Sequence, residues 1–170
     1  MDEPVEVVAG VLARQLNVHL AVAESCTGGL ISHLLTNVPG SSDYFLGSVI
    51  SYANQAKIQL LDVKPETLAT YGAVSRETVL EMARGVRQAL SADFGISVSG
   101  IAGPGGDTPD KPVGTTWIGL SAIGLDRAWL FHFTGDRQEI KRQAAEMALS
   151  LLVDHLKPGI SYRTMPVHDS

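Results

Sequence analysis

The apolar positions along the chain change period several times, and each change marks an element. Val5, Val8, Leu12 and Leu16 recur at helical spacing and predict an opening amphipathic helix. His19-Leu20-Ala21-Val22-Ala23 is a short apolar run suited to a buried strand, and Leu30, Ile31, Leu34 and Leu35 return to helical spacing. The turn between them therefore falls on Glu24 to Gly28. A helix beginning near Thr27 would aim unpaired N–H groups and a positive dipole end back at Ser25. Tyr44 to Tyr52 is rich in strand formers, with Pro39-Gly40-Ser41-Ser42 as the loop before it. Asn54 is expected to cap a helix over Ala56 to Leu61, and Pro65 fits the first turn of another short helix.

Ser75 predicts the N-cap of a helix from Arg76 to near Ala92, whose Val79, Met82, Val86 and Leu90 line one face. Phe94 to Ser99 reads as a buried strand running into the glycine-rich loop Gly100-Ile101-Ala102-Gly103-Pro104-Gly105-Gly106. Ligands in α/β sheets gather at such strand ends. Thr115 to Ala122 and Ala128 to Phe133 flank Gly124-Leu125-Asp126 and predict an antiparallel hairpin. Gly135-Asp136 opens a last helix running to Leu156. The order of elements is that of an α/β protein: one domain over 1–157, then a weakly ordered tail over 158–170 with two prolines and no apolar period.

Composition narrows the function. At 170 residues and 45% hydrophobic, the chain can bury one substantial core and is short for two domains. A net charge of -5 argues against a broad nucleic-acid footprint, while a local pocket for a small anion stays open. One cysteine cannot form an internal disulfide, and Met1-Asp2-Glu3-Pro4 has no secretory-signal character, so a cytoplasmic location is the default expectation. No apolar run approaches the roughly 20 residues that span a bilayer, so no membrane partner is expected. The five histidines, at 19, 33, 132, 155 and 168, show no metal-ligand spacing, and no structural metal is expected.

Ala23-Glu24-Ser25-Cys26-Thr27-Gly28-Gly29 places a hydroxyl, a thiol and two glycines at a strand-to-helix junction. Taken alone, Ser25 reads as a helix cap, and Cys26 as a small buried apolar side chain rather than a nucleophile activated at a helix N-terminus. Ser51-Tyr52-Ala53-Asn54-Gln55-Ala56-Lys57 ends a strand with a phenol and sets an ammonium one helical turn later. A lysine beside a serine becomes its base when burial lowers the lysine pKa, but an isolated Tyr or Lys serves as readily in packing or on a solvated face. Gly103 to Gly106 is neither a Walker loop nor a dinucleotide fingerprint, yet its N–H groups suit a phosphate, with a surface turn as the plain alternative. Thr108, Thr115 and Thr116 are hydroxyls near that loop in sequence, and Arg137, Lys141 and Arg142 put cations in the first turns of the last helix, where the dipole disfavours them.

Together, Ala23 to Gly29, Ser51 to Asn54 with Lys57, Gly72-Ala73-Val74-Ser75, Gly100 to Gly106 and Lys111-Pro112-Val113-Gly114-Thr115 resemble the CinA C-terminal domain family, whose enzymatic members are nicotinamide-nucleotide amidohydrolases. The resemblance runs from Val5 to Leu156. It implies a three-layer α/β/α sandwich with a mixed sheet, and deamidation of nicotinamide mononucleotide to nicotinic acid mononucleotide and ammonia without a cofactor. Ser25 matches the nucleophile; Tyr52 and Lys57 match the groups that activate it and move protons. Substrate contacts are then expected at Cys26, Thr27, Gly28, Gly29, Asn54, Ser75, Gly103, Gly105, Gly106, Thr108 and Arg137. The expected partners are a pyridine nucleotide and other copies of the chain in a homo-oligomer. Larger CinA proteins carry a molybdopterin-binding-like N-terminal domain, and these 170 residues are expected to hold none of it. Two rival functions follow the same motifs: a non-catalytic nucleotide-binding or regulatory module, and a hydrolase of a related phosphorylated or dinucleotide substrate.

Overall fold

Helices on both faces of a five-stranded mixed sheet make three layers, in a computed structural model that describes residues 3–157. The tail expected over 158–170 lies outside the described residues. In chain order the elements are α1 (Val5–Leu16), β1 (Leu20–Glu24), α2 (Leu30–Thr36), β2 (Phe45–Ile50), α3 (Asn54–Leu61), α4 (Pro65–Tyr71), α5 (Arg76–Ala89), β3 (Phe94–Gly100), β4 (Thr115–Ala122), β5 (Leu125–His132) and α6 (Arg137–Leu156). The strands lie in the order β2-β1-β3-β4-β5. β1 is parallel to both β2 and β3, and β4 and β5 add antiparallel at the other side.

Alternation along β1 explains the layering. Leu20 and Val22 face the larger core with α1, α2 and α6, while Ala21 and Ala23 face the smaller core with Leu61, Val63, Met82 and Val86. Small residues at 21 and 23 bring α3 and α5 close to the sheet, and Gly85 on α5 lets that helix meet α3, since a Cβ there would strike the Leu61 carbonyl. The α5 face runs through Val79, Met82 and Val86, all buried, as the sequence predicts. Ser75 caps α5 and accepts from the Thr78 N–H at 3.2 Å. Asp136 and Glu139 form a reciprocal capping box at the start of α6.

Three expectations shift. The buried seam of α1 is Ala9, Gly10 and Ala13 rather than its larger residues, and Leu16 is 44% exposed. The helix is packed by small residues because the Tyr44 ring stands against Gly10. Asn54 is not a cap: Ala53 holds that position without a side-chain bond, and Asn54 is the exposed first residue of α3. The β4–β5 turn is Ile123-Gly124 alone, with Leu125 paired to Ala122, because Gly124 at φ 73° closes a two-residue turn and leaves Asp126 on the strand.

Register places the site. Glu24 pairs with Ile50 on one side and Val98 on the other, so the next residues, Ser25, Ser51 and Ser99, form a row where the three parallel strands end.

Candidate active site

A cleft of about 270 Å³ opens at that row, walled by the β1–α2 turn, the β2–α3 connection, Ala73 and Val74 before α5, the loop after β3, and the first residue of α6. Its floor holds Ser25 and Lys57. Ser25 continues the β1–β3 pairing through its N–H to the Val98 carbonyl at 3.0 Å, and is 8% exposed. Lys57 reaches up from the second turn of α3 and is 1% exposed. Its Nζ donates to Ser25 Oγ at 3.0 Å, to the Ser51 carbonyl at 2.6 Å and, more weakly, to the Tyr52 carbonyl at 3.4 Å.

Among the described residues no carboxylate pairs with that ammonium, so burial is not offset. Desolvation lowers the Lys57 pKa to about 8, against a smaller opposing influence of Cys26. The arrangement is a hydroxyl in contact with an amine that loses its proton near neutral pH, which is what an activated serine needs. Cys26 behaves oppositely. Packed in the larger core and 6% exposed, its thiol is pushed up to about 11 by burial, and it stays a protonated, apolar wall of the cleft.

The turn after Ser25 departs from expectation. α2 begins at Leu30, three residues later than the sequence predicts, because Gly28 (φ 60°) and Gly29 (φ 105°) take left-handed conformations that stop the helix from reaching Thr27. Its N-terminus is not free for a ligand. The buried carboxylate of Glu24 accepts from Gly29, Ile31 and Ser32 N–H groups at 3.0, 3.1 and 2.9 Å, and from the Ser32 hydroxyl at 2.7 Å. Gly28 N–H is also spent, on the Ser25 carbonyl at 3.1 Å. Among the described residues, the turn's N–H groups without a carbonyl or carboxylate partner are those of Thr27 and of Cys26, the latter bonded to its own thiol.

Gly103, Gly105 and Gly106 line the cleft, with Gly103 and Gly106 at positive φ. Arg137 lines it too, and its guanidinium bridges two walls: Nη1 donates to the Gly103 carbonyl at 2.6 Å and Nη2 to the Tyr52 hydroxyl at 2.9 Å. Tyr52 is 62% exposed at the mouth, its hydroxyl turned to Arg137 instead of to Ser25 or Lys57. Six expected contacts do not line the cleft: Thr27, Gly28 and Gly29, which stay in the turn beyond Cys26, and three others. Asn54 points from the exposed start of α3, Ser75 spends its hydroxyl on Gly72 and Thr78, and exposed Thr108 accepts from the Lys111 N–H in a local turn.

Glu24, Ser99 and Ile101 are members of the site that residue patterns did not single out. A charged residue ending a wholly buried strand was the available signal for Glu24, since such a group must be satisfied by its neighbours. Among the described residues, no three His, Cys, Asp or Glu side chains converge as metal ligands, and no helix is long and apolar enough to cross a membrane.

Comparison with known proteins agrees with this architecture. A family profile described as the CinA C-terminal domain matches residues 2–156. A putative competence-damage inducible protein of Moorella thermoacetica is 50% identical over 151 residues, covering 89% of this chain but 36% of that protein. Among solved structures, a CinA superfamily protein from Klebsiella pneumoniae superposes with a TM-score of 0.87 at 32% identity, over 89% of this chain and 95% of that one. A competence/damage inducible protein from Agrobacterium tumefaciens gives 0.85 at 37% identity, over 91% and 96% of the two chains. The chain thus matches those two structures nearly end to end, and spans well under half the length of the curated relative.

Proposed function

The chain belongs to the CinA C-terminal domain family, and from that premise we propose that it is a serine amidohydrolase that deamidates nicotinamide mononucleotide to nicotinic acid mononucleotide and ammonia. The observation that carries this reading is the 3.0 Å contact between Ser25 Oγ and a buried, unpaired Lys57 whose pKa is lowered to about 8. The pyridine nucleotide itself is supported by the family resemblance of the motifs that build the cleft.

In this mechanism neutral Lys57 accepts the Ser25 proton as the oxygen attacks the carboxamide carbon. Lys57 acts directly, since the Tyr52 hydroxyl is held by Arg137. Backbone N–H groups stabilise the tetrahedral oxyanion: Cys26 in the turn, and Gly105 and Gly106 across the cleft, all residues that line it. Collapse breaks the C–N bond, and protonated Lys57 returns its proton to the departing amine, which leaves as ammonia. Water, deprotonated by the same amine, then hydrolyses the Ser25 ester and restores the hydroxyl. The cationic pyridinium of the substrate draws electrons from the carbonyl, which eases attack by a hydroxyl. The Ser51 carbonyl fixes the amine in line with Ser25 throughout.

Incubating the protein with nicotinamide mononucleotide and identifying the products tests the reading. Nicotinic acid mononucleotide and ammonia in equal amounts are expected. Unaltered nucleotide that nevertheless binds would replace the enzyme with a binding module.

A further inference from the structure

We propose that Lys141 is the cation that receives the substrate's phosphate monoester, with the sugar crossing the Gly28 turn between it and Ser25; this rests on the amidohydrolase reading above. α6 presents Arg137 and Lys141 four residues apart, hence on one face. Among the described residues, the cations at the start of α6 are spent, with Lys141 as the exception. Arg137 is committed to Gly103 and Tyr52, and Arg142 makes two bonds to Glu146 at 2.9 and 3.0 Å. Lys141 is half-buried and has neither a hydrogen bond nor an ion pair among the described residues. The nearest carboxylates on its own helix are closed on each other's backbone: Asp136 accepts from the Glu139 N–H at 2.9 Å, and Glu139 from the Asp136 N–H at 2.7 Å.

The position of that spare ammonium ties it to the nucleophile. Its Nζ lies 3.8 Å from where a Cβ on Gly28 would stand, and its charge is felt at Cys26. Gly28 is bonded back to the Ser25 carbonyl, which sets the two Cα atoms within about 7 Å as in any four-residue turn. Glycine at 28 leaves the space above the turn open. Thr27, the residue before Gly28, holds a buried Oγ1 with no hydrogen-bond partner among the described residues. Lys141 also borders a second, solvent-open hollow of about 440 Å³ with Leu30, Asp136, Gln138, Glu139 and Arg142. A phosphate monoester supplies what three unspent N–H donors on a cation require, several anionic oxygens in one group.

The test compares nicotinamide mononucleotide with nicotinamide riboside, which lacks the phosphate, and titrates ribose 5-phosphate by calorimetry. Lys141→Gln is expected to raise KM for the mononucleotide about tenfold or more with kcat within about twofold. The loss of kcat/KM on the riboside should be at least fivefold smaller, by the same loss of a charge-assisted bond. Lys141→Arg should recover most of the binding, and Lys157→Gln, which removes an exposed charge paired to Asp154 at the far end of α6, should leave KM unmoved. Equal losses on the two substrates, or an unchanged mononucleotide KM, would overturn the proposal. If the wild type turns over neither substrate, the amidohydrolase reading fails, and ribose 5-phosphate binding lost on Lys141→Gln would still uphold the anion site. Wild-type protein that does not bind ribose 5-phosphate would sink it.

Discussion

Glu24 and Ser25 are neighbours in the chain, yet their side chains leave the sheet by opposite faces. Glu24 turns to α2, where its carboxylate gathers four donors, and Ser25 turns to α3, where it meets Lys57. One residue anchors the turn, and the next makes the contact on which the proposed chemistry rests.

Ser25→Ala and Cys26→Ala separate the two candidate nucleophiles. The serine variant should lose turnover by on the order of 10³ or more. The cysteine variant should keep ammonia release within a few-fold and lose about 1 kcal/mol of stability for the vacated core volume. The reverse pattern in an ammonia assay would transfer the role to the thiol.

In the proposed mechanism Lys57 sets the pH dependence. Because its pKa is lowered to about 8, kcat/KM should climb through pH 7 and level off above about 8. Lys57→Met should depress kcat by on the order of 10³, with little change in KM, and abolish that limb. A wild-type profile flat from pH 6 to 9 would remove the amine from the proton transfer.

The same lysine links stability to pH. Between about 8 and the ordinary lysine value of 10.5, the unfolded chain holds a proton that the folded one has released. Unfolding free energy should therefore rise with pH across that window in the wild type, relative to Lys57→Met. Denaturant midpoints of both proteins at pH 7.5 and 9.5 measure the difference.

Tyr52→Phe removes only the hydroxyl that accepts from Arg137, so kcat should fall less than about tenfold, the cost of one neutral bond at an exposed mouth. Arg137→Lys loses the fork that spans Gly103 and Tyr52 and should act mainly on KM. A collapse of kcat in Tyr52→Phe would restore the phenol to the proton path.

Glu24→Gln should cost roughly 3 kcal/mol by denaturant unfolding, since an amide cannot accept from four donors that now surround two anionic oxygens.

Local pattern made much of this molecule readable in advance. The α5 face and its Ser75 cap, the buried strand before the glycine loop and the start of α6 rest on contacts within a few residues, which periodicity encodes. The turn at Ser25 was legible as a junction, but its true helix start was not, because Glu24 reaches forward to Ile31 and Ser32 and competes with ordinary capping. Taken alone Lys57 reads as a packing or surface lysine; the family resemblance singles it out, and the register of β1 with β2 brings it under Ser25. Tyr52 and Arg137 lie 85 residues apart, and no spacing rule foretells that one holds the other's hydroxyl.

The tight loop at Ile123-Gly124 sits where β4 hands over to β5, at the end of the sheet opposite the row of serines, and Ile123 is 80% exposed. A fluorophore or affinity peptide spliced at that tip would hang on the far side of the molecule, making it a natural handle for tethering the protein while its working end faces solution.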